Sequence, residues 1–149
     1  MSDLSNFHTL KGYQIQNSVS MTPSMEDYLE MICRMQQENK PVRINELAQL
    51  LNVKPSSASK MVQNLKKLHY VDFEKYGYIL PTKQGLELGN YMLERHDILH
   101  SFLCTLNQSD NELEQVEKIE HFLNKETIEH LKSLTLWMKS EHYKNNPVE

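Results

Sequence analysis

The chain has 149 residues, 39% hydrophobic and 24% charged, and a formal net charge of −4. That suits one domain, or a small domain with a helical appendage, in an ordinary globular chain rather than a disordered or fibrous one. No apolar run approaches the roughly 18–20 residues of a membrane span. The opening MSDLSNFHTLKGYQIQNSVS lacks the apolar core of a secretory signal, so a cytoplasmic location is expected.

Residues 1–20 show no clear periodicity and are expected to form an arm or a disordered leader. Met21-Thr22-Pro23-Ser24 starts a first helix, with Thr22 or Ser24 as cap and Pro23 in the first turn. Tyr28, Leu29, Ile32, Cys33 and Met35 give it an apolar stripe, which ends near Asn39-Lys40-Pro41. A short second helix follows, capped by Asn45, with Leu47, Ala48, Leu50 and Leu51 as its apolar face. Asn52-Val53-Lys54-Pro55 is a turn, since proline disfavours helix in the residue before it. A third helix begins at Ser56-Ser57 and points Ala58, Met61, Val62, Leu65 and Leu68 inward. Val71-Asp72-Phe73-Glu74 and Tyr78-Ile79-Leu80 alternate around Lys75-Tyr76-Gly77, a β-hairpin signal.

Helix, tight turn, helix and hairpin make the pattern of a winged helix-turn-helix. Its reading helix would be the third. Ser56, Ser57, Ser59, Lys60, Gln63, Lys66 and Lys67 face outward there, with Lys54 and Pro55 in the turn before it. Hydroxyls and amides can meet base edges, and lysines meet phosphates. Between Lys40 and Lys67 six cations face Glu46 alone, which favours double-stranded DNA over a merely solvated face.

Thr82 caps a long fourth helix, Lys83 to about Leu106, with Leu86, Leu88, Met92, Ile98, Leu99, Phe102 and Leu103 as apolar positions. A fifth runs from about Asp110 to Leu123, and a sixth follows an Asn124 cap and continues past Trp137. Between Asn111 and His130 six glutamates face two lysines, so the acidic half has a different job from the basic one. The expected fold is mainly α: a winged helix-turn-helix DNA-binding domain (21–83) with a short β-hairpin wing, then an all-helical dimerisation domain (84–149). A helical appendage of this kind commonly serves as a dimer interface, and palindromic operators demand a dimer. Cys33 and Cys104 are too few and too far apart for a disulfide framework, and their apolar neighbours predict two buried thiols.

VEKIEHFL, residues 116–123, carries Glu117, Glu120 and His121 at a spacing that stacks three polar tips within one helical turn. Asp27 and Glu30 lie at i, i+3 on the first helix, beside its apolar stripe, and His96 lies midway along the fourth. Six such donors suffice for two divalent ions if carboxylates are shared. Oxygen-rich sites without thiolate favour manganese or magnesium over zinc, and imidazole tips the balance towards a transition metal. Spacing does not single out this set. Glu126, Glu129 and His130 repeat the E-x-x-E-H pattern, His100 stands one turn from His96, and a solvated helix face accounts for any one of them.

The runs MTPSMEDYLE, VKPSSASKMVQNLKKLHYVDFEKYGYILPTKQG, ERHDILHSFL and VEKIEHFL closely resemble, in matching order over about residues 21–140, the manganese transport regulator branch of the diphtheria-toxin-repressor-like family. The resemblance implies a homodimeric winged-helix repressor of manganese uptake genes, with a site for two manganese ions per subunit between its two parts. Carried over by position, the metal ligands are Asp27, Glu30, His96, Glu117, Glu120 and His121. Iron-responsive relatives place methionine or cysteine at some of these positions. Asp27 and Glu120 stand there in this chain, which favours Mn(2+), with Fe(2+) as the alternative. Relatives in this branch usually start near Met21, so residues 1–20 are additional, and the absence of an SH3-like third domain agrees with the manganese branch. A metal-independent winged-helix regulator is the rival reading. An enzyme is not expected, because Glu-x-x-His pairs, H-E-x-x-H, H-x-x-E-H and Gly-rich phosphate loops are missing.

Overall fold

The computed structural model describes residues 9, 13, 21–74 and 77–140. The arm expected over residues 1–20, Thr9 and Tyr13 apart, lies outside the described residues, as do the hairpin's Lys75 and Tyr76. From Met21 onward the described residues form six α-helices and one hairpin in order: α1 Pro23–Gln37, α2 Ile44–Leu50, α3 Pro55–Lys67, β1 Val71–Phe73, β2 Ile79–Pro81, α4 Lys83–Asn107, α5 Leu113–Ile119 and α6 Lys125–Met138. A single 3₁₀ turn, Glu120–Phe122, separates α5 from α6.

Three predicted caps form. Thr22 accepts from the Met25 amide at 3.2 Å, Thr82 from Gly85 at 3.0 Å and Asn124 from Thr127 at 2.8 Å. Asn45 caps nothing: α2 begins one residue earlier, out of an extended Arg43 without a side-chain cap. The Ile79 amide donates to the Val42 carbonyl at 2.8 Å, so the wing fixes where α2 starts. Leu50, expected on the inner face of α2, is 54% exposed, whereas Leu47 and Ala48 are buried and Leu51 packs partly buried against the same core. Proline takes the first position of α3, one residue ahead of expectation. The predicted fifth helix contracts to seven residues and tightens into the 3₁₀ turn, so Glu120 and His121 stand on the turn rather than on an α-helical face.

Asn39, Asn52, His69 and Gln108 adopt left-handed backbone just past α1, α2, α3 and α4. In each case the next residue's amide bonds back to a carbonyl five residues earlier, such as Val53 to Ala48 at 2.9 Å, satisfying groups the helix end leaves open. The wing is a two-stranded antiparallel ribbon with Val71 opposite Pro81 and Phe73 opposite Ile79.

One core gathers Leu29, Ile32, Leu47, Val62, Leu65 and Ile79 with Met92 of α4. A second, smaller one holds Ile98, Leu99, Leu103, Val116 and Ile128. Both draw on α4, which therefore belongs to both halves. Cys33 is buried as expected. Cys104 is only half-buried, since it lies at the rim of α4 with Sγ 3.5 Å from His100 Nε2. α4 is seated through two glycines. A Cβ on Gly85 would stand 1.9 Å from the Tyr70 carbonyl oxygen, and one on Gly89 would stand 2.2 Å from Cys33 Sγ. Among the described residues no helix is long and apolar enough to cross a membrane.

Candidate metal centre

The fold brings α1, α4 and the 3₁₀ turn together, and with them the predicted donors. Among the described residues two groups place acid and imidazole atoms within 4.8 Å of one another: Asp27–Glu120–His121 and Glu30–His96–Glu120. Glu120 belongs to both. It is 0% exposed, with Oε2 3.1 Å from His96 Nδ1 and Oε1 buried without any hydrogen-bond partner. A buried, unpartnered carboxylate oxygen is costly unless something positive meets it. Glu117 stands at the edge, 58% exposed, with Oε1 3.9 Å from His96 Nδ1. An open cleft of about 470 Å³, lined by Asp27, Glu30, Arg34, His96 and Glu117, leads solvent to the cluster.

His121 is gripped from two sides, Nε2 lying 2.9 Å from Asp27 Oδ1 and Nδ1 lying 3.2 Å from Glu26 Oε2. Asp27 first, then Glu26, push its pKa up to about 10. The hydrogen bond to Glu120 raises His96. Burial raises Glu30, helped by the Glu120 charge and opposed by Arg34, which donates to Glu30 Oε1 at 2.9 Å. Burial alone would raise the Glu26 carboxyl, but His121 and Arg95 outweigh it and hold it below the ordinary range.

These shifts set a pH dependence. Because the folded pKa of His121 lies above its ordinary 6.5, its contribution to the metal-free fold is present below pH 6.5 and fades as pH rises through about 10. The same proton competes with a metal for Nε2. Affinity for a divalent ion is therefore expected to climb as pH rises between about pH 6 and about pH 8, with release of the His121 proton. Calorimetry in two buffers of different ionisation enthalpy counts that proton, and a flat affinity over the range would contradict the assignment.

The set contains only oxygen and imidazole nitrogen, which suits a divalent ion of the manganese or ferrous type. The competing histidines and acids are placed elsewhere. His100 Nε2 accepts from the Glu112 amide at 3.3 Å, and Glu126, Glu129 and His130 are exposed on α6. Sequence reasoning missed Glu26 and Arg95, whose Nη2 donates to Glu26 Oε2 at 2.7 Å. Glu26 lies in the first turn of α1, where any acid suits the helix N-terminus, and only the fold shows His121 beside it.

At the start of α3 and along it, Lys54, Pro55, Ser56, Ser57, Lys60, Gln63, Lys66 and Lys67 are exposed and Ser59 is half-buried. Lys66 leans on the wing, 3.6 Å from Asp72 and 5.2 Å from the Phe73 ring centroid. Arg43 lies over Tyr78 at 4.3 Å, so both cations tie helices to the hairpin.

A winged helix-turn-helix carried on a helical half, with a divalent-metal donor set between them, defines a metal-dependent transcriptional regulator. Two family models match in succession. "Iron dependent repressor, N-terminal DNA binding domain" covers residues 20–79, and "Iron dependent repressor, metal binding and dimerisation domain" covers 82–146. The chain belongs to this iron-dependent repressor family. It is 37% identical over 121 residues to the HTH-type transcriptional regulator MntR of Oceanobacillus iheyensis, across 80% of this chain and 82% of that one. Among solved structures it resembles the manganese regulator SloR, at 26% identity and a TM-score of 0.68 over 78% of this chain. It also resembles ScaR with bound Zn2+, at 25% identity and a TM-score of 0.65 over 78% of this chain. The match spans 55% of each of those two longer chains.

Proposed function

We propose that the chain is a manganese-responsive transcriptional repressor, not an enzyme, in which a divalent metal acts as co-repressor. The observation that carries this is Glu120, fully buried with an unpartnered oxygen and shared by two donor groups. Asp27, Glu30, His96, Glu117, Glu120 and His121 would hold two Mn(2+) ions per subunit. Fe(2+) is the alternative that the same donors allow. Residues 21–83 form the DNA-reading domain and 84–149 the metal-binding and dimerisation domain. A homodimer would set two α3 helices on a palindromic operator in the cytoplasm, with Lys54, Pro55, Ser56, Ser57, Ser59, Lys60, Gln63, Lys66 and Lys67 facing it.

The residues give the linkage. Asp27 and Glu30 ride on α1, which packs against the reading helix α3 in the main core. Glu117, Glu120 and His121 ride on α5 and its turn, in the helical half. A bound divalent ion supplies the positive charge that these acids lack among themselves. Without it Glu120 repels Glu30 and Glu117, and the His121 contacts to Asp27 and Glu26 are left to tie α1 to the turn. Held together, the acids fix α1, and through the core α3, in one arrangement. Operators that fit it bind more tightly, and by reciprocity operator DNA tightens metal binding. A coupling of about 2–3 kcal/mol corresponds to roughly 30–150-fold in operator affinity.

Operator-fragment binding by the chelator-stripped chain, at fixed salt because phosphate contacts are steeply salt-dependent, tests the reading. Titration with manganese is expected to tighten binding tenfold or more (~1.4 kcal/mol), while magnesium does nothing. Glu30→Gln should lose the response and keep the fold. Ferrous iron matching manganese under anaerobic conditions would favour the iron reading. Binding indifferent to every metal would leave a metal-independent winged-helix regulator.

A further inference from the structure

We propose that Glu26, anchored by Arg95, is a positioning residue of the metal site: it accepts the Nδ1–H of His121 and so reserves Nε2 for the ion. The inference rests on the function proposed above. The two ring nitrogens of His121 meet different surroundings. Nε2 faces the donor cluster, 2.9 Å from Asp27 Oδ1 and 3.9 Å from Glu120 Oε1, whereas Nδ1 faces Glu26 Oε2 at 3.2 Å. A neutral imidazole carries its proton on one nitrogen, and the acceptor of that proton decides which nitrogen keeps a lone pair for a metal.

Glu26 belongs to neither donor group, yet it is itself held in place. Arg95 donates to the same Oε2 at 2.7 Å, is only 4% exposed, and lies beside the Tyr91 ring, 5.9 Å from its centroid. The run from Arg95 through Glu26 to His121 links α4, α1 and the 3₁₀ turn. Those are the segments the donor groups link, so the run braces the cluster from behind. Imidazole ligands are commonly oriented by a carboxylate on the far nitrogen, and removing such a partner costs about 10–100-fold in metal affinity.

The test compares manganese affinity, from the paramagnetic resonance signal of the free ion, in wild type, Glu26→Ala and Glu26→Gln. Loss of about 10–100-fold in the alanine variant is expected, with most of it restored by glutamine, which keeps an acceptor oxygen. The double variant Glu26→Leu/Arg95→Met leaves no unpaired buried charge and should show the same loss if the alanine variant folds poorly. As a readout independent of affinity, cadmium-113 to nitrogen-15 couplings should report Nε2 alone on the metal in wild type and a mixture without Glu26. Affinity within about twofold of wild type, or unchanged Nε2 coupling, in the alanine and double variants overturns the clamp. Wild-type chain that binds no manganese would instead overturn the proposed function.

Discussion

Glu120→Gln is expected to weaken manganese binding by more than about 100-fold while leaving the metal-free chain at least as stable as wild type. The two halves of that result come from one side chain. Both donor groups need a Glu120 oxygen, so the change removes an anionic ligand from each at once, which exceeds the loss of a supporting contact. In the metal-free fold the same charge is a burden. Glu120 is fully buried, one oxygen has no partner, and its charge helps to raise the pKa of Glu30 and Glu117. A neutral amide of the same shape is cheaper to desolvate, can still accept from His96 Nδ1, and offers an N–H to the neighbouring acids. Thermal unfolding with chelator and metal titration without it separate the effects. A variant that loses stability along with metal affinity would mean that Glu120 is mainly structural.

Gly85→Ala is expected to cost about 3 kcal/mol or more, enough to threaten a fold of this size. The third residue of α4 approaches the wing so closely that a Cβ would stand 1.9 Å from the Tyr70 carbonyl oxygen. That oxygen cannot swing away, because it is backbone and accepts the Thr82 amide at 3.0 Å. Thr82 in turn caps α4 and donates its hydroxyl to the His69 carbonyl at 2.6 Å, so relief at one contact breaks others. Gly89→Ala meets the Cys33 sulfur at 2.2 Å, a side chain with some freedom, and should cost less. Urea midpoints of the two variants rank them, and a Gly85→Ala midpoint near wild type would show that the wing gives way freely.

How legible all this was in the sequence depends on the range of the interaction. The helices, three of their caps and the hairpin followed from local rules: Thr22, Thr82 and Asn124 each need only an amide three residues on. Asn45 failed as a cap, and Leu50 as a core residue, because α2 is placed by the wing through Val42 and Ile79, a contact no local pattern carries. The contraction of α5 was likewise hidden, since the run from 110 to 123 has nothing that forbids helix. Spacing could propose Glu117, Glu120 and His121 but gave the same support to Glu126, Glu129 and His130. The resemblance to a known family separated them, and the fold brings Glu120 and His121 into donor groups with α1 and α4 while Glu126, Glu129 and His130 stay exposed on α6. Glu26 had no signal at all, because its importance arises from His121, 95 positions away.

α4 has one further consequence. It runs unbroken for 25 residues, with no proline and with both cores fastened along its length. A rod of that kind does not bend at its middle; it tilts. His96 sits near its middle, about 20 Å from the end of the rod at Lys83, where the wing is attached, at 1.5 Å rise per residue. A tilt of only about 5° about His96 therefore carries that end through nearly 2 Å, by the same rise per residue. Under the function proposed above, sub-ångström adjustments among the carboxylates would arrive at the wing magnified, and a cluster so small would decide whether a reading head fits its groove.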